Sequence, residues 1–197
     1  MRYRDEEILR KREELRRRNY ASLEKGYYMD GEILTFERKR LLDTCSLMLP
    51  DSMKLMPEEL ARIKYPSEFR PQRILTSMDL DVNLGFSLLK FEVEAGKTAG
   101  LAERMQAAIC RSNPDYKMDR LMLLEGADGG WFSFRSHAMD SDIYNMMLIM
   151  NIGGVPVHSC FNCGYEREEK WKLRGENRLS ERYSAGWRDR SCVMNMS

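Results

Sequence analysis

An α+β domain built on a mainly antiparallel sheet is the fold class this sequence predicts, and three features predict it. From Gly31 onward the chain is a series of short β-rich runs broken by Asp, Gly and Pro. Helical runs interrupt them at few places, so the regular strand–helix alternation of a parallel sheet is missing. Turn residues join several neighbouring runs closely enough for antiparallel hairpins.

Each element has its own signal. Residues 5–23 hold helix formers almost throughout, with charges on every side and only Ile8, Leu9, Leu15 and Leu23 as apolar anchors. Spacings such as Glu6 to Arg10 and Glu14 to Arg18 support the helix by roughly 0.2–0.5 kcal/mol each. Residues 1–26 therefore read as a solvated, charged appendage helix, with Ile8 and Leu15 available to a partner helix or to a second copy in a homodimer. Strands are expected at 32–37, 44–49, 73–76, 84–93, 120–125, 130–138, 143–151 and 155–160. Asp128-Gly129-Gly130 and Gly153-Gly154 offer the positive φ angles of tight turns, and Asp140-Ser141-Asp142 suits a polar one. In residues 143–152 the set Ile143, Met147, Ile149 and the set Tyr144, Met146, Leu148, Met150 are both apolar, which predicts a central strand covered above and below. Residues 130–138 alternate instead: Phe132, Phe134 and Ala138 oppose Trp131, Ser133, Arg135 and His137, predicting one face partly wet.

Helices are expected where Pro57-Glu58-Glu59 opens a short run closed by Tyr65-Pro66, and from Thr98, read as an N-cap, to Arg111. Leu101, Met105, Ala108 and Ile109 give the second helix one apolar face. A third is expected after Gly164, with Glu166, Glu168 and Glu169 in its first turn and Trp171 as anchor.

Composition narrows the functional classes. Of 197 residues 43% are hydrophobic, and 32 Lys+Arg against 31 Asp+Glu leave a net charge of +1. Such a chain closes a core without disulfides or metal and has no overall field to draw nucleic acid or anionic lipid. No apolar run approaches the roughly 20 residues of a membrane helix, and the charged N-terminus lacks the apolar stretch of a signal peptide. Five cysteines, at 45, 110, 160, 163 and 192, form no paired framework. The expectation is a cytoplasmic protein that engages neither nucleic acid nor membrane.

Two segments carry a family resemblance. The first is Tyr65-Pro66-Ser67-Glu68-Phe69-Arg70-Pro71-Gln72-Arg73-Ile74-Leu75-Thr76 with Asn83-Leu84-Gly85-Phe86-Ser87-Leu88. The second is Trp131-Phe132-Ser133-Phe134-Arg135-Ser136-His137-Ala138-Met139-Asp140, then Ile143-Tyr144-Asn145, Ser159-Cys160-Phe161-Asn162-Cys163 and Trp171. The chain resembles bacterial proteins of unknown function with a PsbP-like fold over residues 31–171. The resemblance implies an α/β/α sandwich around an antiparallel sheet, used mostly to bind other proteins. Its members include an extrinsic photosystem subunit, a nuclear-import factor that binds a small GTPase, and adaptors that load effectors into bacterial secretion machines. It brings no cofactor and no active-site motif. Past Trp171 the chain departs from the family, because Lys172 to Arg178 is polar and contains Gly175 where a closing helix needs apolar spacing. Residues 172–197 are therefore read as a divergent tail.

Among residues that look chemical, His158, Cys160 and Cys163 are the sharpest group. A CxxC at a helix start lowers thiol pKa and supports disulfide exchange, although Glu166, Glu168 and Glu169 would oppose a thiolate here. A structural zinc site needs four ligands, and only His137, His158 and scattered cysteines are on offer. No nucleophile elbow or phosphate loop is present, and the acid pairs Asp79/Asp81 and Asp140/Asp142 fall in turn-like stretches that suit capping. Basic runs at Arg16–Arg18 and Arg38–Arg40 lie among acids and read as solvated faces. The 15 methionines suit a surface that adapts to varied partners. The functional expectation is a non-enzymatic protein-binding or adaptor module, using a sheet edge, the face near Trp131 and Arg135, or the N-terminal helix. The alternative is a thiol redox or metal-binding protein using His158, Cys160 and Cys163.

Overall fold

The computed structural model describes residues 2–168 apart from 30, 43, 44, 139 and 153. The expected tail at 172–197, Trp171 and Gly153 lie outside the described residues. The elements are α1 (Arg2–Asn19), β1 (Ala21–Ser22), β2 (Gly26–Met29), β3 (Glu32–Leu34), β4 (Phe36–Leu41), β5 (Cys45–Pro50), β6 (Lys54–Leu55), α2 (Glu58–Lys64), β7 (Arg73–Thr76), β8 (Asn83–Leu88), α3 (Thr98–Ser112), β9 (Lys117–Met118), β10 (Met122–Leu123), β11 (Gly129–His137), β12 (Asp142–Ile152) and β13 (Val155–Gly164). The last described turn, Tyr165–Arg167, is a short 3-10 helix.

The main sheet runs β10-β11-β12-β13-β8-β7-β6, with β9 also on β11. Every pairing in it is antiparallel. Two local units, the β7–β8 hairpin and the β11–β12–β13 meander, are joined where Asn83–Leu88 meets residues 157–162. Strand β12 is central, as its two-sided apolar pattern predicts. One face of the sheet carries Leu75, Leu84, Phe86, Trp131, Tyr144, Leu148, Phe161 and Cys163. It packs with Leu41, Leu47, Leu49 and Met53 of the β4–β5 hairpin and the turn after it in one buried cluster. Lys39 ties that hairpin down, donating to the Met53 carbonyl at 2.5 Å and meeting Glu37 at 2.8 Å.

The opposite face carries α2 and α3. Ala102 is fully buried and lies 3.4 Å from where a Gly130 side chain would begin, so the glycine lets the helix settle close on β11. The buried positions of α3 are Thr98 and Ala102, while Ala108, expected inward, is exposed. Nor is Thr98 the N-cap; it opens the helix, and the cap comes from the β10–β11 turn. Asp128 accepts from the Gly96 N–H at 2.9 Å, the Thr98 N–H at 3.0 Å and the Thr98 hydroxyl at 2.7 Å. Desolvation pushes the Asp128 carboxyl up, and the bonds from Thr98, Gly96 and Ala99 outweigh it and hold the pKa below the ordinary value.

Two further expectations are corrected. Positive φ in the β10–β11 turn belongs to Gly126, at 71°; Gly129 is a strand residue, needed because a Cβ there would sit 2.3 Å from the Ile149 carbonyl oxygen. And β11 has no wet face before Arg135: residues 129–134 are all buried, because the β4–β5 hairpin covers the side that alternation left open. Helix α1 ends at Asn19, short of residue 26; its i,i+4 pairs are Lys11–Glu7 (3.1 Å), Arg10–Glu14 (3.9 Å) and Arg17–Glu13 (3.9 Å). No helix among the described residues is long and apolar enough to cross a membrane.

Candidate functional site

On the helix-bearing face, register places side chains in rows across the strands. One row is polar: Thr76, Asn83, Asn162 and Asn145 are successive partners from β7 to β12. The Thr76 hydroxyl donates to Asn83 (2.9 Å), the Asn83 amide donates to Asn162 (3.0 Å), and the Asn162 amide donates to the hydroxyl of Tyr65 at the end of α2 (3.1 Å). Burial pushes the Tyr65 hydroxyl up to about 12, against a smaller lowering from Asn162. The chain of aligned donors satisfies Asn83, which is 1% exposed, and fixes α2 to the sheet.

The next row is Ile74, Gly85, Cys160, Met147 and Phe132, and the one beyond contains Ser87, His158 and Ile149. Pro71 lies over Gly85, where a Cβ would be 2.5 Å from the proline ring and 2.7 Å from the Cys160 sulfur. Burial pushes the Cys160 thiol up to about 11 and the His158 imidazole down to about 4. The His158 Nε2 lies 3.3 Å from the Met147 sulfur. At neutral pH the imidazole is therefore uncharged and the thiol protonated, the reverse of an activated cysteine.

Cys163 does not join this group. Strand β13 runs to Gly164, four residues past its expected end, and an offset of three along a strand reverses the side-chain direction. Cys160 faces the helices, whereas Cys163 lies in the cluster under the β4–β5 hairpin. The group His158, Cys160 and Cys163 is thus split between two faces of one strand. Among the described residues no three His, Cys, Asp or Glu side chains gather as a metal-ligand set.

The expected partner surfaces fare differently. Trp131 is 9% exposed and part of the core, so it offers a partner nothing; the covering hairpin is the reason. Arg135 is half-buried, 3.4 Å from Asp142 and 3.2 Å over the centre of the Tyr165 ring, and Asp142 also meets His137 at 2.6 Å. Ile8 and Leu15 are 62% and 58% exposed on α1. Both ends of the main sheet are two-residue strands, β6 and the β9/β10 side, a form that resists edge pairing.

Sequence reasoning missed a groove of about 480 Å³ between β6, α2 and the segment leading into β7. Its buried apolar lining is Met56, Ala61 and Ile74, with Leu55 and Pro71 beside them and Glu58, Arg70 and Arg73 supplying charge. Leu55 of that lining is 55% exposed, and Phe69, between the lining residues Glu68 and Arg70 in sequence, is 95% exposed. The signal was available in part. Phe69 stands between Glu68 and Arg70 in a stretch bounded by Pro66 and Pro71, and α2 is too short to bury more than one side.

No protein-family model and no curated protein matches the chain. Solved structures do. The chain is similar to cyanobacterial PsbP (CyanoP) from Synechocystis sp. PCC 6803, with a TM-score of 0.52 and 12% identity over 82% of this chain and 96% of that one. It is also similar to the Ran-binding protein Mog1p of Saccharomyces cerevisiae, with a TM-score of 0.50 and 9% identity over 79% of this chain and 92% of that one. The protein has the PsbP-like α+β fold. At such identities the likeness is one of fold, and no functional residue is carried across with it.

Proposed function

We propose that this protein is a non-enzymatic protein-binding module that takes its partner at the groove between β6, α2 and the segment before β7. The observation that carries the reading is the Leu55 side chain, left in water on a concave apolar lining, with Phe69 in solvent between the lining residues Glu68 and Arg70. Exposed apolar groups clustered at a groove with a charged rim are what an interface core looks like before it is covered. The fold agrees with this use, since Mog1p is by name a Ran-binding protein. The thiol reading loses its basis in geometry, because Cys160 is held protonated and Cys163 points the other way.

The test is co-purification from extract of the source cell with the full-length chain, alongside Phe69→Asp and Leu55→Asp. Both positions are exposed, so each variant should unfold at the wild-type temperature. A protein held by the wild type and reduced at least about tenfold by either substitution is expected, matching loss of one interfacial anchor. Retention of the same proteins by all three chains, or of none by the wild type, overturns the reading.

A further inference from the structure

We infer that α1 pairs antiparallel with α1 of a second copy of this chain. The helix stands in solvent along most of its length: Ile8, Leu9 and Leu15 are 62%, 59% and 58% exposed. Its described contact with the body is at the last turn, where the Arg16 guanidinium reaches the Tyr28 hydroxyl at 3.4 Å and lies 5.5 Å from the ring centre.

Charge decides the occupant. Asp5, Glu6 and Glu7 follow Arg2 and Arg4 in the first half of the helix, and Arg16, Arg17 and Arg18 close it. With about 100° between successive residues, Ile8 and Leu15 lie one above the other with Lys11 and Arg12 between them, one to either side. Asp5 and Arg16 run along one flank of that line, and Glu7, Lys11, Glu14 and Arg18 along the other. A parallel copy would set acid against acid and base against base. An antiparallel copy centred between Lys11 and Arg12 brings Ile8 of each chain onto Leu15 of the other. It also sets Asp5 against Arg16, Glu7 against Arg18 and Lys11 against Glu14, each pair occurring twice by symmetry. The same patch serves both chains, so the association closes at two. Two apolar layers with Lys11 and Arg12 of both chains between them make the contact weak and quickly exchanging, specified by the flanking charge pairs more than by area.

The experiment is sedimentation equilibrium of the full chain at low salt, up to roughly 200 µM, where a weak two-helix contact is populated. The wild type is expected to move from the mass of one chain toward that of two, and to return to one as salt rises to about 1 M. Asp5→Lys/Glu7→Lys should stay at one chain, as should Arg16→Glu/Arg18→Glu. The chain carrying all four substitutions should regain the dimer. That last variant keeps the test independent of helix stability, since it bears every change that weakens the helix and still pairs; circular dichroism reports helix content throughout. A wild type of one-chain mass at the highest concentration overturns the proposal. So does a dimer that survives either double reversal, or four reversals that fail to restore it in a chain of wild-type helix content. The groove reading is tested separately through Phe69 and Leu55, and neither result decides the other.

Discussion

A buried thiol is inert for the same reason that the largely covered His158 imidazole is neutral: each must leave water as an ion to react. In the native protein Cys160 should resist Ellman's reagent at pH 8 and react fully once unfolded, while exposed Cys110 reacts at once. Oxidation should not join Cys160 to Cys163, since an offset of three along a strand spans about 10 Å and a disulfide needs Cα atoms within about 7 Å. An intramolecular 160–163 disulfide found by peptide mapping after oxidation of the folded chain would contradict this placement. His158 makes a second test. Its folded pKa of about 4 lies below the ordinary 6.5, so its contribution is complete above pH 6.5 and is lost as pH falls toward 4, the unfolded chain taking up the proton first. Urea titrations should show the wild type losing up to about 3 kcal/mol more than His158→Gln across that window; parallel curves would refute the assignment. The CxxC spacing was legible, but the face of each thiol was not. Asn162 between them reads as the end of a strand, and only the Asn83 amide and Tyr65 hydroxyl, residues far away in sequence, make it a satisfied member of one.

The same contrast between local and distant partners governs the elements. Helix α2 and strand β7 fall within a residue of where proline, acids and β-branched residues put them, and α3 begins at Thr98, one residue before the start that an N-cap at Thr98 implies. What closes α3, however, is Asp128, 30 residues downstream, a cap that no local pattern displays. Asp128→Ala should leave the Gly96, Thr98 and Ala99 donors without this acceptor and cost about 1–2 kcal/mol, read as a lower melting temperature, with Asp128→Asn recovering part of it. Gly129 was legible as a glycine with a purpose but not with this one. Its role is close approach to the β12 backbone, so Gly129→Ala should cost about 1–3 kcal/mol although alanine suits a strand better than glycine does. A variant as stable as wild type would mean that β12 gives way there. Strand β11 shows the converse error: its alternating sequence expects one wet face, and the hairpin of β4 and β5, contributed from nearly 90 residues upstream, dries it.

At the scale of the molecule, the architecture rests on one long-range seam, the pairing of β8 with β13, which sews a hairpin to a meander. Nothing in residues 83–88 or 157–162 names the other as partner, so the fold class was legible while the strand order was not. The seam is clamped beyond its end by Arg167, which meets Asp79 at 2.7 Å and Asp81 at 2.9 Å in the β7–β8 turn. Ser77, donating at 2.5 Å, and then Arg167 hold the Asp79 carboxyl down at about 2. A carboxyl depressed from 3.8 contributes in full above that value and loses its contribution as pH falls to about 2. Asp79 is roughly half exposed, so screening keeps the contribution below about 1 kcal/mol. Its position matters more than its size, because releasing Arg167 frees β13 at the point where the chain leaves the sheet. Asp79→Asn together with Asp81→Asn, which removes both carboxylates from Arg167, should therefore raise hydrogen exchange at residues 160–164 while leaving the β11–β12 hairpin protected, and it should flatten the acid-induced loss of stability between pH 4 and pH 2. Exchange rising equally in β11, or an acid profile unchanged from wild type, would show that the clamp does not guard the seam.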